Sequence, residues 1–290
     1  MIDLRCSSHS AALVALAVVA FLTPGCVTKD FLSLAETRRL LDADARPQAP
    51  DKKPVEKCFL AELPGPAKVE QTAPVSVAVF VTDNRPTYKN YAMLAFVFLV
   101  PFAHGEVPGV PPMTCLEAGD KCIDYRHVIG LLVAKNLRAS EGVAQARYEE
   151  FSANLRKYDL RLKITLEDLH TDNIIIGYGL GPFCGVPWIL ALPMGRVGLE
   201  GKGSWELSET RSGKVIEKGG FAVNDSKTVA LYYSTTQTAY SREGVMGEAV
   251  GGVVATITDG ALQALRRQPP EYWAELAKER ELLLPSGQKP

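Results

Sequence analysis

The strictest pattern in the chain lies at 160–167 (LRLKITLE), where Leu160, Leu162, Ile164 and Leu166 alternate with Arg161, Lys163, Thr165 and Glu167. Only a period of two places four apolar side chains on one face, so this segment predicts a half-buried β-strand. Residues 203–208 (GSWELS) alternate too, with Trp205 and Leu207 together. A turn at 211–213 and a returning strand at 214–223 complete an antiparallel hairpin. Upstream, 75–81 (VSVAVFV) is a β-branched apolar run closed by Thr-Asp-Asn-Arg-Pro, which predicts a buried strand and a turn. Val128, Leu131, Leu132 and Lys135 sit at helical spacing in 124–137, a helix expected to pack on that strand. A short strand is expected at 143–148. Met246, Val250, Val253, Ile257, Ala261 and Leu265 form one stripe through 244–267. Gly247, Gly251, Gly252 and Gly260 weaken that helix but allow close approach to a sheet. Proline opens a further amphipathic helix at 270–284.

This order predicts an α+β fold: a mixed, mainly antiparallel sheet with two helices packed on one face, plus an apolar hairpin extension. The extension comes from 174–194 (IIIGYGLGPFCGVPWILALPM), which falls between the strands of the central hairpin. Like 91–103 (YAMLAFVFLVPFA), it carries no charge. Its repeated Gly and Pro argue against a spanning helix, because broken backbone facing lipid leaves polar groups unsatisfied. Three readings stand: a covered extension of the core, an apolar element that dips into a membrane or docks on a partner, and a groove for a lipid chain. Tyr178 and Trp188 suit a lipid–water boundary. With Phe96, Phe98, Phe183 and Leu190 they are the membrane or partner contact candidates.

The first residues change the picture. Arg5 precedes an apolar run at 11–22, too short to span a bilayer, which takes about 20 residues. Thr23-Pro24-Gly25-Cys26 follows. This is a secretory signal pattern, and 1–25 is excluded from the fold. Its end resembles the lipobox of bacterial lipoproteins, in which a cysteine after a small residue is acylated and becomes the new N-terminus. Gly25 and Cys26 match; Thr23 holds the place where leucine is usual, and Pro24 is atypical. Ordinary signal-peptidase cleavage or an uncleaved anchor are the alternatives. Val27, rather than Asp, after the cysteine implies the outer membrane, facing the periplasm. Residues 31–41 predict a short helix, and the Pro-, Lys- and Asp-rich 45–57 a spacer. The expected organisation is a lipidated N-terminus and flexible tether at 26–74, an α+β domain at 75–267, and a C-terminal helix and tail at 268–290.

With 32 basic and 33 acidic residues there is no electrostatic footprint for nucleic acid. Cys58, Cys115, Cys122 and Cys184 remain in the mature chain, and an even number in an exported protein predicts disulfides. Cys115 and Cys122 flank a short polar loop and are the favoured pair; Cys58–Cys184 follows only by elimination. Their spacing is not that of a zinc site. Asp168, His170 and Asp172 could share one side of a strand, yet lack a third nitrogen or sulfur ligand. Asp83, Asn84 and Arg85 read as turn formers, and His127 as a surface residue. No G-x-S-x-G, H-E-x-x-H or phosphate-cradling glycine loop in its proper context occurs. No catalytic residue, metal or cofactor is expected.

Val-Phe-Val-Thr-Asp-Asn-Arg-Pro, Tyr158-Asp159-Leu160-Arg161-Leu162, the Ser212-Gly213-Lys214-Val215 turn and the closing helix resemble small periplasmic lipoproteins of the YajG and curli-export type. The resemblance spans about residues 75–267 and concerns the fold. A curli-type pore would need strands alternating apolar and polar over about ten residues, which the two apolar runs lack. The expected function is a non-enzymatic, membrane-anchored envelope lipoprotein serving as a binding or assembly accessory to an envelope protein. The alternative is a lipid-binding or lipid-transport accessory with a groove around 91–103 and 174–194.

Overall fold

A computed structural model of the protein describes residues 27–28, 31–42, 73–85, 91–92, 105–106, 115–118, 121–140, 142–177, 193–230 and 237–283. The elements are β1 (Val27–Thr28), α1 (Leu34–Asp42), β2 (Ala73–Asp83), β3 (Tyr91–Ala92), β4 (Gly105–Glu106), β5 (Cys115–Ala118) and β6 (Lys121–Asp124). They continue with α2 (Tyr125–Ala139), β7 (Val143–Tyr148), β8 (Leu160–Gly177), β9 (Pro193–Glu209), β10 (Val215–Ala230), α3 (Gln237–Arg266) and α4 (Pro270–Leu283).

The fold is α+β, built on an open mixed sheet in the order β10-β9-β8-β2-β7. β2 runs parallel to β7 and β8, whereas β8, β9 and β10 form an antiparallel meander. An interior position explains the apolar composition of β2, since a strand covered on both faces needs little polar surface. Val75, Val77, Val79 and Val81 join the core beneath the helices. Ala78 and Phe80 pack with Leu155 and Tyr158, at and beside the 3-10 helix Ser152–Lys157, on the opposite face. Asp159 latches the starts of β2 and β8 together. The backbone N–H and hydroxyl of Ser76 each donate to its Oδ2 at 2.8 Å.

The alternation of β8 is as expected through Leu166, and then a bulge between Leu166 and Asp168 shifts its phase. Leu169 and Thr171 consequently turn inward and are buried. Opposite the bulge, Gly201 has φ +152, and a Cβ there would lie 1.9 Å from the Asp168 carbonyl oxygen. That position admits only glycine, so Gly201 serves a mid-strand close approach.

α2 starts where Asp124 caps it, accepting from the Arg126 backbone N–H at 2.8 Å. Its Val128, Ile129, Leu132 and Val133 share one core with Val250, Val253, Val254 and Ile257 of α3. Gly260 lets α3 settle on Trp205. The structure enlarges the expected layer of two helices. Trp273 and Leu276 of α4 are buried in the same core, so this helix is an integral part of the layer.

The N-terminal segment is also different from the expected tether. Ser33 and Glu36 form a capping box, each side chain accepting from the other's backbone N–H at 3.3 and 2.9 Å. Leu32 and Leu41 enter the core, where burial of such side chains contributes about 1.5–3 kcal/mol each. The Leu32 N–H donates to the Cys122 carbonyl at 2.8 Å. Residues 31–42 are thus docked on the body, which confines any spacer within 26–74 to the stretch after α1 and makes it an internal connection. Residues 45–57 lie outside the described residues.

Candidate functional site

Short strands border several of the sequence-level site residues. Cys26, Cys58, Cys184, Phe96, Phe98, Tyr178, Phe183, Trp188 and Leu190 lie outside the described residues, but the strands that lead to them do not. β1, immediately after Cys26, pairs antiparallel with β3, which opens the 91–103 run, in the register Val27↔Ala92 and Thr28↔Tyr91. β4, just beyond the end of that run, pairs with the far end of β8, Gly105↔Gly177 and Glu106↔Ile176, where 174–194 begins. Phe31 bridges to Cys122, three residues before Tyr125. The Tyr125 hydroxyl in turn hydrogen-bonds Thr171 on β8. Backbone pairing therefore links the residues just after Cys26 to the start of the first apolar run, and the residues just after that run to the start of the second. No periodicity in the sequence reveals this, because two-residue strands carry no pattern.

A part-buried polar clasp braces the far part of β8. Arg85 donates from Nε to Asp83 Oδ1 at 2.8 Å and from a terminal nitrogen to Oδ2 at 2.7 Å. Its other terminal nitrogen donates to the Leu169 carbonyl at 2.8 Å, and the guanidinium lies 5.3 Å from the Tyr125 ring centre. Burial alone would raise the Asp83 pKa, but the hydrogen bonds and charge of Arg85, with the charge of Arg126, outweigh it and hold the carboxyl below its ordinary value. The Asp-Asn-Arg motif is thus more than a turn. It ties the end of β2 to the base of the long β8–β9 hairpin.

His127 corrects the sequence reading. It is buried, 6% exposed, with Nδ1 3.3 Å from the Tyr148 hydroxyl. Desolvation lowers its pKa, partly opposed by the charges of Asp124 and Glu150, while Arg126 lowers it further. His170 Nδ1 lies 3.1 Å from Asp168 Oδ1. Among the described residues no group of three or more His, Cys, Asp or Glu gathers as a metal would require. Cys115 and Cys122 sit on paired strands, in the registers Cys115↔Asp124 and Glu117↔Cys122, which makes them diagonal neighbours on one face of the small hairpin. Among the described residues no helix is long and apolar enough to cross a membrane. The geometry assembled here can hold an end of the fold rigid and present chain beyond it.

No protein-family model and no curated protein matches the sequence. Three solved structures are similar in part. A DUF330 protein from Xanthomonas campestris aligns at 13% identity and TM-score 0.35, covering 70% of this chain and 91% of its own. A neuraminyllactose-binding hemagglutinin homolog from Helicobacter pylori aligns at 12% identity and TM-score 0.39, covering 74% and 96%. A lipoprotein from Caulobacter crescentus aligns at 12% identity and TM-score 0.24, covering 51% and 83%. These likenesses are remote. Function has to be argued from the residues themselves.

Proposed function

We propose that the protein is a non-enzymatic lipoprotein of the bacterial envelope, acylated at Cys26, that acts as a binding or assembly accessory on the membrane surface. The observation that carries this reading is the pairing of β1 with β3 and of β4 with the far end of β8, together with the docking of Phe31 on the body just after Cys26. Phe31, the first residue docked on the body, stands only five residue steps after Cys26. At about 3.3–3.6 Å per residue they reach at most roughly 18 Å. An acyl chain at Cys26 would therefore keep the body against the bilayer, with 91–103 and 174–194 on the side nearest the lipid. The acyl chains supply anchoring at about 0.8 kcal/mol per buried methylene. Phe96, Phe98, Tyr178, Phe183, Trp188 and Leu190 are then the residues placed to meet the membrane or an envelope protein partner, and the outer membrane is the location that Val27 favours.

Labelling with a clickable palmitate analogue, comparing wild type with Cys26→Ala and followed by membrane fractionation, tests the anchor. Label on wild type alone, with the variant released, is the expected result. Soluble, unlabelled wild type would overturn it. The pairing of β4 with β8 brings the borders of the two apolar runs together, which also favours a second reading, a lipid-binding groove. Native mass spectrometry of anchor-free protein separates the two: a bound lipid lost on Trp188→Asp or Leu190→Asp indicates the groove.

A further inference from the structure

A different region of the molecule concentrates unpaired positive charge. α1 lies along α2, and between them and the edge strand β7 is a cleft of about 170 Å³. Arg38 of α1, Lys135 and Arg138 of α2 and Arg147 of β7 line it over a floor that includes Leu41, Leu131 and Tyr148. Lys135 and Arg138 are three residues apart, hence neighbours on one helix face. Arg38 reaches the same space only because the N-terminal segment is docked. Among the described residues no acidic side chain lines the cleft. Among the described residues the side chains of Arg38, Lys135 and Arg138 make no hydrogen bond or ion pair. Several cations elsewhere are matched: Arg85 with Asp83, Arg126 with Asp124, Lys218 with Glu206, and Arg267 with Glu217. In a chain with one more acid than base, three converging unpartnered cations are not a consequence of composition.

We propose that this cleft binds a phosphate group carried on an uncharged or apolar body. Two guanidinium forks and one ammonium match the oxygens of a phosphate, for which arginine gives paired, directed hydrogen bonds and lysine a point charge. The leucine and tyrosine floor gives the adjoining part of the ligand an apolar seat. The small volume suits a phosphate end and its first linked atoms rather than a whole lipid, since pockets for complete ligands are about 300–1,000 Å³. The phosphate could belong to an anionic phospholipid headgroup or to a soluble phosphate compound. Because residues of α1 and α2 share the cleft, an occupant would also hold the N-terminal segment onto the body.

The mature chain carrying Cys26→Ser tests this without help from an acyl anchor, so the proposal stands or falls separately from lipidation. Flotation is measured with vesicles of phosphatidylcholine alone and of phosphatidylcholine mixed equally with phosphatidylglycerol, and inorganic phosphate is titrated by amide NMR. Lys135→Glu and Arg138→Glu are compared with Arg39→Glu, an exposed residue outside the cleft that changes net charge equally. Retention on phosphatidylglycerol vesicles, weakened about tenfold or more by the cleft variants but not by Arg39→Glu, supports the site with a lipid headgroup as its source. Shifts at α1 and α2 amides on adding phosphate, lost in the cleft variants, support it with a soluble phosphate. Binding of neither probe, or equal effects of all three substitutions, overturns it.

Discussion

Two glycines of α3 offer a controlled measurement of how closely that helix packs. A Cβ added at Gly260 would stand 2.4 Å from Cζ2 of Trp205 and 3.1 Å from two further ring atoms, whereas one added at Gly252 would meet nothing within 4 Å. Carbon atoms rest at about 3.5–4.0 Å, so the first contact is short by more than about 1 Å. The indole cannot readily withdraw: Trp205 is buried, and its other side lies against Gly219, where a Cβ would be 2.6 Å from the ring. Both substitutions to alanine gain the same helix propensity, about 1 kcal/mol. Gly260→Ala additionally overpacks the core, at a cost of about 1–3 kcal/mol. Gly252→Ala should therefore stabilise by up to about 1 kcal/mol, and Gly260→Ala should fall about 1–3 kcal/mol below it. Urea denaturation of the mature chain, followed by circular dichroism, gives that difference directly, with the m-value checking that the unfolding transition is unchanged. Equal stabilisation by the two substitutions would refute the docking of α3 on Trp205.

Other expectations follow from single contacts. Asp159→Ala should destabilise by about 1–3 kcal/mol, because the buried Ser76 N–H and hydroxyl lose the acceptor between β2 and β8; no change in denaturation midpoint would contradict the latch. His127 has a folded pKa below its ordinary 6.5, so the unfolded chain binds the proton more readily. Its contribution is complete above about pH 6.5 and is lost as pH falls from there toward the folded value; stability curves should be flatter in this window for His127→Gln. Leu32→Asp should release residues 31–42, read as faster amide exchange in α1 with α2 still protected; unaltered exchange would mean that the segment does not depend on that contact. We further propose the Cys115–Cys122 disulfide on their diagonal placement, and peptide mapping without reduction should recover the two in one linked fragment. Recovery of Cys122 linked to Cys58 or Cys184 would replace that pairing.

Much of this architecture could be read along the chain. The alternation at 160–167, the β-branched run at 75–81 and the stripe from Met246 to Leu265 each report a local period. A period depends only on which face an element must bury, so strands and helices appear there with their places nearly right. The capping box of Ser33 and Glu36 was equally legible and marks the start of α1. The bulge after Leu166 was not, since nothing in Leu-Glu-Asp-Leu indicates the extra residue until Gly201 lies opposite it. Nor was the docking of Leu32 and Leu41, whose segment is too short for its pattern to distinguish a tether from a packed helix. His127 looked like surface because helical position alone does not reveal that Tyr148 covers it. The candidate site divides in the same way. Cys26 and the two uncharged runs are properties of composition and order, whereas the pairing of the strands that border them, and the meeting of Arg38 with Lys135 and Arg138, is a matter of which distant strands and helices lie side by side. Pairing across roughly sixty or more residues is decided by the packing of the whole core, and no local pattern encodes it.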